Sequence, residues 1–132
     1  LSPETQIKLK NALTLNFDGK MVRNLFNINH FIENKQYSTS LKMLKVFLSD
    51  YLKKCYIYFY HPDNEITKKQ VVEFIKLISD IQGFPFNADD LLSLFERCEH
   101  IEVDKGNLEY LSHEIYNLMY DWYIRLKRFL NR

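Results

Sequence analysis

The residues best suited to chemistry form a short row, Cys98-Glu99-His100, with His113 further along the chain. A thiol, a carboxylate and an imidazole are the makings of a nucleophile and its base, or of a metal site shared with His113. Nucleophilic catalysis needs nucleophile, base and orienting group within mutual reach. Adjacent residues on a helix, or at its end, point in different directions and do not converge. No Cys-x-x-Cys or His-x-x-x-His spacing supports zinc. Cys55 and Cys98 both fall on apolar faces, where a free cysteine usually serves as a small core residue. His30 and His61 fall in or near loops and are expected to face solvent. No catalytic residue is assigned.

Oxygen donors are more numerous. Asp63, Asn64 and Glu65 share one turn, and Glu102 and Asp104 lie in a second polar stretch among Glu96, Glu99, Glu109 and Glu114. Their order does not close a shell around a small ion. Asp63, Asn64, Glu65, Glu102 and Asp104 are weak candidates for a divalent cation, and no cofactor is expected. Arg125, Lys127, Arg128 and Arg132 gather at the far end. Cations there complement the dipole of a helix C-terminus; the functional alternative is docking on an acidic partner or on phosphates.

The elements that position these groups read as helices almost throughout. Ser2-Pro3-Glu4 supplies an N-cap, a proline at the first helical position and an early acid. Ile7, Leu9, Ala12 and Leu13 are the apolar positions of a short helix that should stop before Asp18-Gly19, and Met21, Val22, Leu25 and Phe26 make a second stripe. Ser38-Thr39-Ser40 offers caps for a long helix whose apolar positions run from Leu41 to Phe59 in steps of three and four. His61-Pro62-Asp63-Asn64 breaks it. Thr67 and Gln70 predict a capping box ahead of Val71, Phe74, Ile75, Ile78 and Ile81, with Gly83 suited to the C-cap. Asn87 should cap the next helix, which carries Asp89 and Asp90 in its first turn and buries Leu91, Leu92, Phe95 and Cys98. The last helix is predicted from about Tyr110 to Leu130, with Leu111, Ile115, Leu118, Met119, Trp122, Leu126 and Phe129 inward. The fold class is all-α.

Length and composition bound the function. A chain of 132 residues fits a single compact domain, here an N-terminal helical segment, 1–37, followed by a helical lobe, 38–132. Lys and Arg number 18 against 17 Asp and Glu, so no global electrostatic footprint of a nucleic-acid binder is present. Three glycines leave no phosphate-binding loop, and two cysteines are too few for a disulfide framework. No apolar run is long enough to span a membrane and none marks a secretory signal, so a cytoplasmic location is expected. The start at Leu1, without Met, reads as a piece of a larger chain.

Two helix–loop–helix units stand in tandem, with Phe59 and Phe95 36 positions apart. Each entering helix carries apolar residues four and one before its loop: Tyr56 and Phe59, then Leu92 and Phe95. Ile66 and Leu108 follow the two turns. This pattern resembles a paired EF-hand, in which such residues meet across a short β-bridge. Asp18-Gly19-Lys20-Met21-Val22-Arg23-Asn24-Leu25-Phe26-Asn27, followed by a long helix running into the first unit, resembles the junction of calcium-dependent protein kinases. Residues from about 18 to 118 thus resemble a junction and N-terminal EF lobe. A working EF loop places oxygen ligands at positions 1, 3, 5, 7, 9 and 12, with a bidentate Glu last. The first loop, Tyr60 to Gln70, has an aromatic at its start and an amide at its end. The second, Glu96 to Ser112, is five residues too long and ends on a hydroxyl.

The resemblance implies a regulatory domain, non-catalytic and with calcium binding weak or lost, that binds protein: an amphipathic helix or a kinase domain of the same chain. Phe59, Phe74, Phe95, Ile115, Met119 and Trp122 are the residues expected to line its groove. The surplus aromatics of the last helix, Tyr116, Tyr120, Trp122 and Tyr123, exceed what one face can bury and are expected in part at a surface interface. The alternative is an all-helical host-interaction module like the viral Bcl-2-like proteins, which a central, fully apolar helix would favour; every helix here instead reads as amphipathic. Neither nucleic acid nor a membrane span is expected.

Overall fold

Six helices organise residues 1–103 and 106–132, the residues described by the computed structural model: α1 (Pro3–Asn16), α2 (Gly19–Glu33), α3 (Tyr37–Tyr60), α4 (Lys68–Ile78), α5 (Ala88–Glu99) and α6 (Leu108–Leu130). No strand occurs among these residues. Local chemistry sets most of the ends. Ser2 accepts a hydrogen bond from Thr5 N–H, Asp18 from Met21 N–H and Asn87 from Asp90 N–H, each satisfying a first-turn donor that the helix leaves unpaired. Thr67 and Gln70 form a reciprocal capping box. His61 ends α3 in the left-handed region at φ 49°, and the break at Pro62 follows at once.

α3 is the axis, and each of the other five helices packs against it. Its Leu41, Leu44, Leu48, Leu52 and Cys55 are sealed from solvent, and Phe47 and Tyr51 are nearly so. Two polar ties cross this apolar centre. The Tyr51 hydroxyl donates to the Leu13 carbonyl at 2.7 Å, pinning α1 to α3. The Ser40 and Ser112 hydroxyls lie 3.1 Å apart and share the Tyr37 carbonyl at 2.8 and 3.4 Å, pinning α6 to the start of α3. Buried polar groups are tolerated when they find partners. Among the described residues no buried side-chain nitrogen or oxygen lacks one.

Several sequence expectations change here. α3 begins at Tyr37, ahead of the Ser38–Ser40 caps, and Ser40 faces the core instead. α4 ends at Ile78; Ile81 stays buried in the turn beyond it, and Gly83 adopts φ 80° there. Leu108 opens α6, and no bridge joins it to Ile66. Ile7, Phe26 and Leu118, expected inward, are 61%, 49% and 43% exposed, because the neighbouring helices cover a narrower stripe than each apolar pattern spans. Residue 37 marks no break in packing. Leu9, Leu13, Phe17, Leu25 and Ile28 belong to the same core as Phe74, Phe95 and Trp122.

Candidate functional site

The six residues expected to line a groove are placed mainly inside the molecule. Phe74, Phe95, Ile115, Met119 and Trp122 are each no more than 2% exposed, and Phe59 is half-buried against Phe74 at 6.3 Å between ring centres. They hold the helices to one another, and of the six only Trp122 also borders the α5–α6 groove described below. The physical reason is the position of α3: packed by all five other helices, it covers apolar faces that a free-standing lobe would leave for a partner.

The oxygen donors are likewise dispersed. Asp63, Asn64, Glu65 and Glu102 all lie at the surface, and Asp104 lies outside the described residues. Among the described residues no three His, Cys, Asp or Glu side chains gather closely enough to share a metal ion. The Cys98-Glu99-His100 row separates as well. Cys98 is buried, and burial pushes its thiol up to about 12, as it does that of Cys55. A thiol so placed stays protonated and unreactive near neutrality. His100 is exposed, its Nδ1 2.8 Å from the Glu96 carbonyl oxygen and 3.5 Å from the Glu96 carboxylate. His113 is exposed beside the Tyr37 ring, on α6.

Open apolar surface lies along the flanks of α6. On one flank, between α5 and α6, a groove of about 310 Å³ is floored by Phe86, Leu94 and Trp122 and edged by Leu118. Its rim carries both signs. Arg125 lies over the Phe86 ring at 4.3 Å, donates to the Pro85 carbonyl and reaches Asp121 at 3.5 Å. Arg97 pairs with Glu114 at 2.7 Å, and Asp90 completes the rim.

On the other flank, a wide cleft of about 690 Å³ runs between the start of α2 and the end of α6, lined by Phe17, Val22, Arg23, Phe26, Tyr123, Lys127 and Arg132 among others. Phe17 and Tyr123 stack at 5.4 Å, and Phe26 meets Tyr123 edge-on at 6.2 Å. Tyr120 and Tyr116 extend this aromatic run along α6, at 5.8 and 6.2 Å from ring to ring. Burial, and then the neighbouring Tyr120, raise the Tyr116 hydroxyl above its usual value. A smaller cleft of about 180 Å³ separates α2 from α3 beside Met43 and Val46.

The two α6 flanks follow from helical geometry. Leu118, Asp121, Trp122 and Arg125 share one side, while Tyr116, Tyr120, Tyr123 and Lys127 share the opposite side. The sequence signal for them was the width of the apolar and aromatic pattern on α6. What it lacked was Phe86 and Leu94 on one side and Phe26 on the other, whose exposure depends on how closely neighbouring helices approach. No helix among the described residues is long and apolar enough to cross a membrane. No protein-family model, curated protein or solved structure matches this chain.

Proposed function

We propose that this chain is a non-catalytic regulatory or protein-interaction domain that holds an amphipathic helix, from its own chain or from a partner, in the α5–α6 groove. The observation that carries the reading is Leu118, 43% exposed beside the floor made by Trp122 and Phe86. A helix docks in such a trough through anchors at i, i+3 or i+4, and i+7. The rim arginines are paired with acids, so the groove matches a helix whose own flanks are neutral.

Two architectures supply a groove of this kind. The EF-hand-like reading, with the calcium-dependent protein kinase resemblance behind it, is supported by the α3–α4 and α5–α6 units and by the packing of α4 on α5. Against it stands the start of α6 at Leu108, which takes the place of the bridging strand. On this reading the loops hold calcium weakly or not at all, and a kinase domain of the same chain is the natural partner. The viral Bcl-2-like reading is supported by the central place of α3, which touches all five other helices; against it stands the amphipathic character of α3, with Lys42, Lys45, Lys53 and Lys54 exposed. Both lead to the same test. A neutral amphipathic peptide with leucines at helical spacing should bind saturably, and Leu118→Glu should abolish that binding while leaving the helical circular dichroism intact. Binding that survives Leu118→Glu would refute the groove, and micromolar calcium binding by calorimetry would make the loops the functional site.

A further inference from the structure

We infer that the cleft between α2 and the far flank of α6 is a second docking surface, whose occupant is an acidic amphipathic segment of a partner protein. Its floor is aromatic and partly open. Phe17 and Tyr123 stack below, Phe26 stands 49% exposed at its side, and Tyr120, 40% exposed, adjoins Tyr123 along α6. Large amphipathic rings in such a setting are the common anchors of protein interfaces.

The walls are cationic: Arg23, Lys127 and Arg132 line the cleft. Asp18 is the single acid among the lining residues, against these three cations; Arg132 also donates to the Thr14 carbonyl at 2.7 Å. Helix dipoles account for only part of this charge. Lys127 and Arg128 sit in the last turn of α6, where cations are favoured. Arg23 sits in the second turn of α2, towards the positive end of that helix, where the dipole gives a cation no support. Arg23 moreover folds back over the helix start, so that a Cβ built on Gly19 would stand 3.2 Å from its guanidinium. The chain as a whole carries only +1, so this end is positive by arrangement rather than by surplus. An apolar floor inside a cationic wall complements an apolar stripe flanked by Asp or Glu.

The surface is independent of the α5–α6 groove, and the test separates them. A fluorescein-labelled peptide with leucines at helical spacing and glutamates elsewhere is titrated by anisotropy, beside a twin with lysines in place of the glutamates. The acidic peptide should bind saturably, more weakly as salt rises, and the lysine twin should not bind this face. Phe26→Ala should weaken the acidic peptide about tenfold, and Lys127→Glu about threefold, with unchanged thermal midpoints. Equal binding of the twin through Phe26, or loss of the acidic peptide on Leu118→Glu but not on Phe26→Ala, would overturn this surface and leave the groove standing. Tighter Phe26-dependent binding of a single-stranded oligonucleotide, or of anionic lipid vesicles, would overturn the partner class. No saturable binding of either the acidic or the neutral peptide would overturn both surfaces.

Discussion

The two flanks of α6 use the same residue types for opposite ends. Trp122, on the α5–α6 side, is 2% exposed, packed edge-on against Tyr51 and Phe47 at 5.4 and 6.4 Å. Tyr120, two residues back and turned the other way, is 40% exposed, and the aromatics it meets lie along its own helix. Their difference comes from what stands opposite: Trp122 packs on rings of the central helix α3, while Tyr120 lies on the flank beside α2, where the cover is partial. The same contrast separates the charges. Around the groove Arg125 and Arg97 are paired with Asp121 and Glu114, whereas the cations of the far cleft outnumber its single acid. An apolar residue on α6 therefore reports core or interface only once its neighbours are known.

The largest way to break this contrast is Trp122→Ala. It should remove about 3–5 kcal/mol of stability, as expected of a buried aromatic truncated to leave a cavity, and chemical denaturation would measure it. A loss below about 1 kcal/mol would mean that Trp122 contributes little to the core it occupies. Tyr51→Phe should cost about 1 kcal/mol, the net value of one buried hydrogen bond, through loss of its bond to Leu13. That effect sharpens the comparison, since it isolates the polar tie of the centre from its packing.

Smaller effects belong to pH and to the open flanks. The Cys55 and Cys98 thiols rise in the folded state from 9.0 to about 12. Above pH 9 the unfolded chain loses these protons and the folded chain keeps them. The stability they contribute is therefore whole below that point and declines as pH rises toward about 12. Denaturation midpoints measured across that range should fall, and Cys55→Ala should flatten the slope. Native thiols should also react with alkylating reagents only as fast as the protein opens. Smallest of all, Phe26→Ala and Leu118→Ala should each change stability by less than about 1 kcal/mol, because half-exposed side chains leave little cavity behind. Their effect should appear in binding, Leu118 for a neutral amphipathic helix and Phe26 for an acidic one.

Much of the fold was legible before any coordinates. Ser2, Thr67 with Gln70, and Asn87 cap the helices that their spacing marks, because a short polar side chain ahead of an apolar stripe has few other uses. Ser38-Thr39-Ser40 misled for a related reason. A serine hydroxyl also serves as a buried tie, and Ser40 found its partner in Ser112, 72 positions away, at a distance no local pattern reports. The site was less legible. Helical periodicity identifies Phe74, Phe95, Ile115, Met119 and Trp122 as one apolar system but does not say whether a partner or the chain's own α3 covers it. Phe26 and Leu118 carry the converse lesson: they follow the apolar period and still reach solvent.

The most direct test of the account is an amide NMR titration of the whole chain with the neutral and the acidic amphipathic peptides, added singly and then together. The account predicts two separate sets of saturating shifts, one around Leu94 and Leu118 and one around Phe26 and Tyr120, with neither peptide displacing the other. A single set of shifts, mutual displacement, or no saturable shift with either peptide would contradict it.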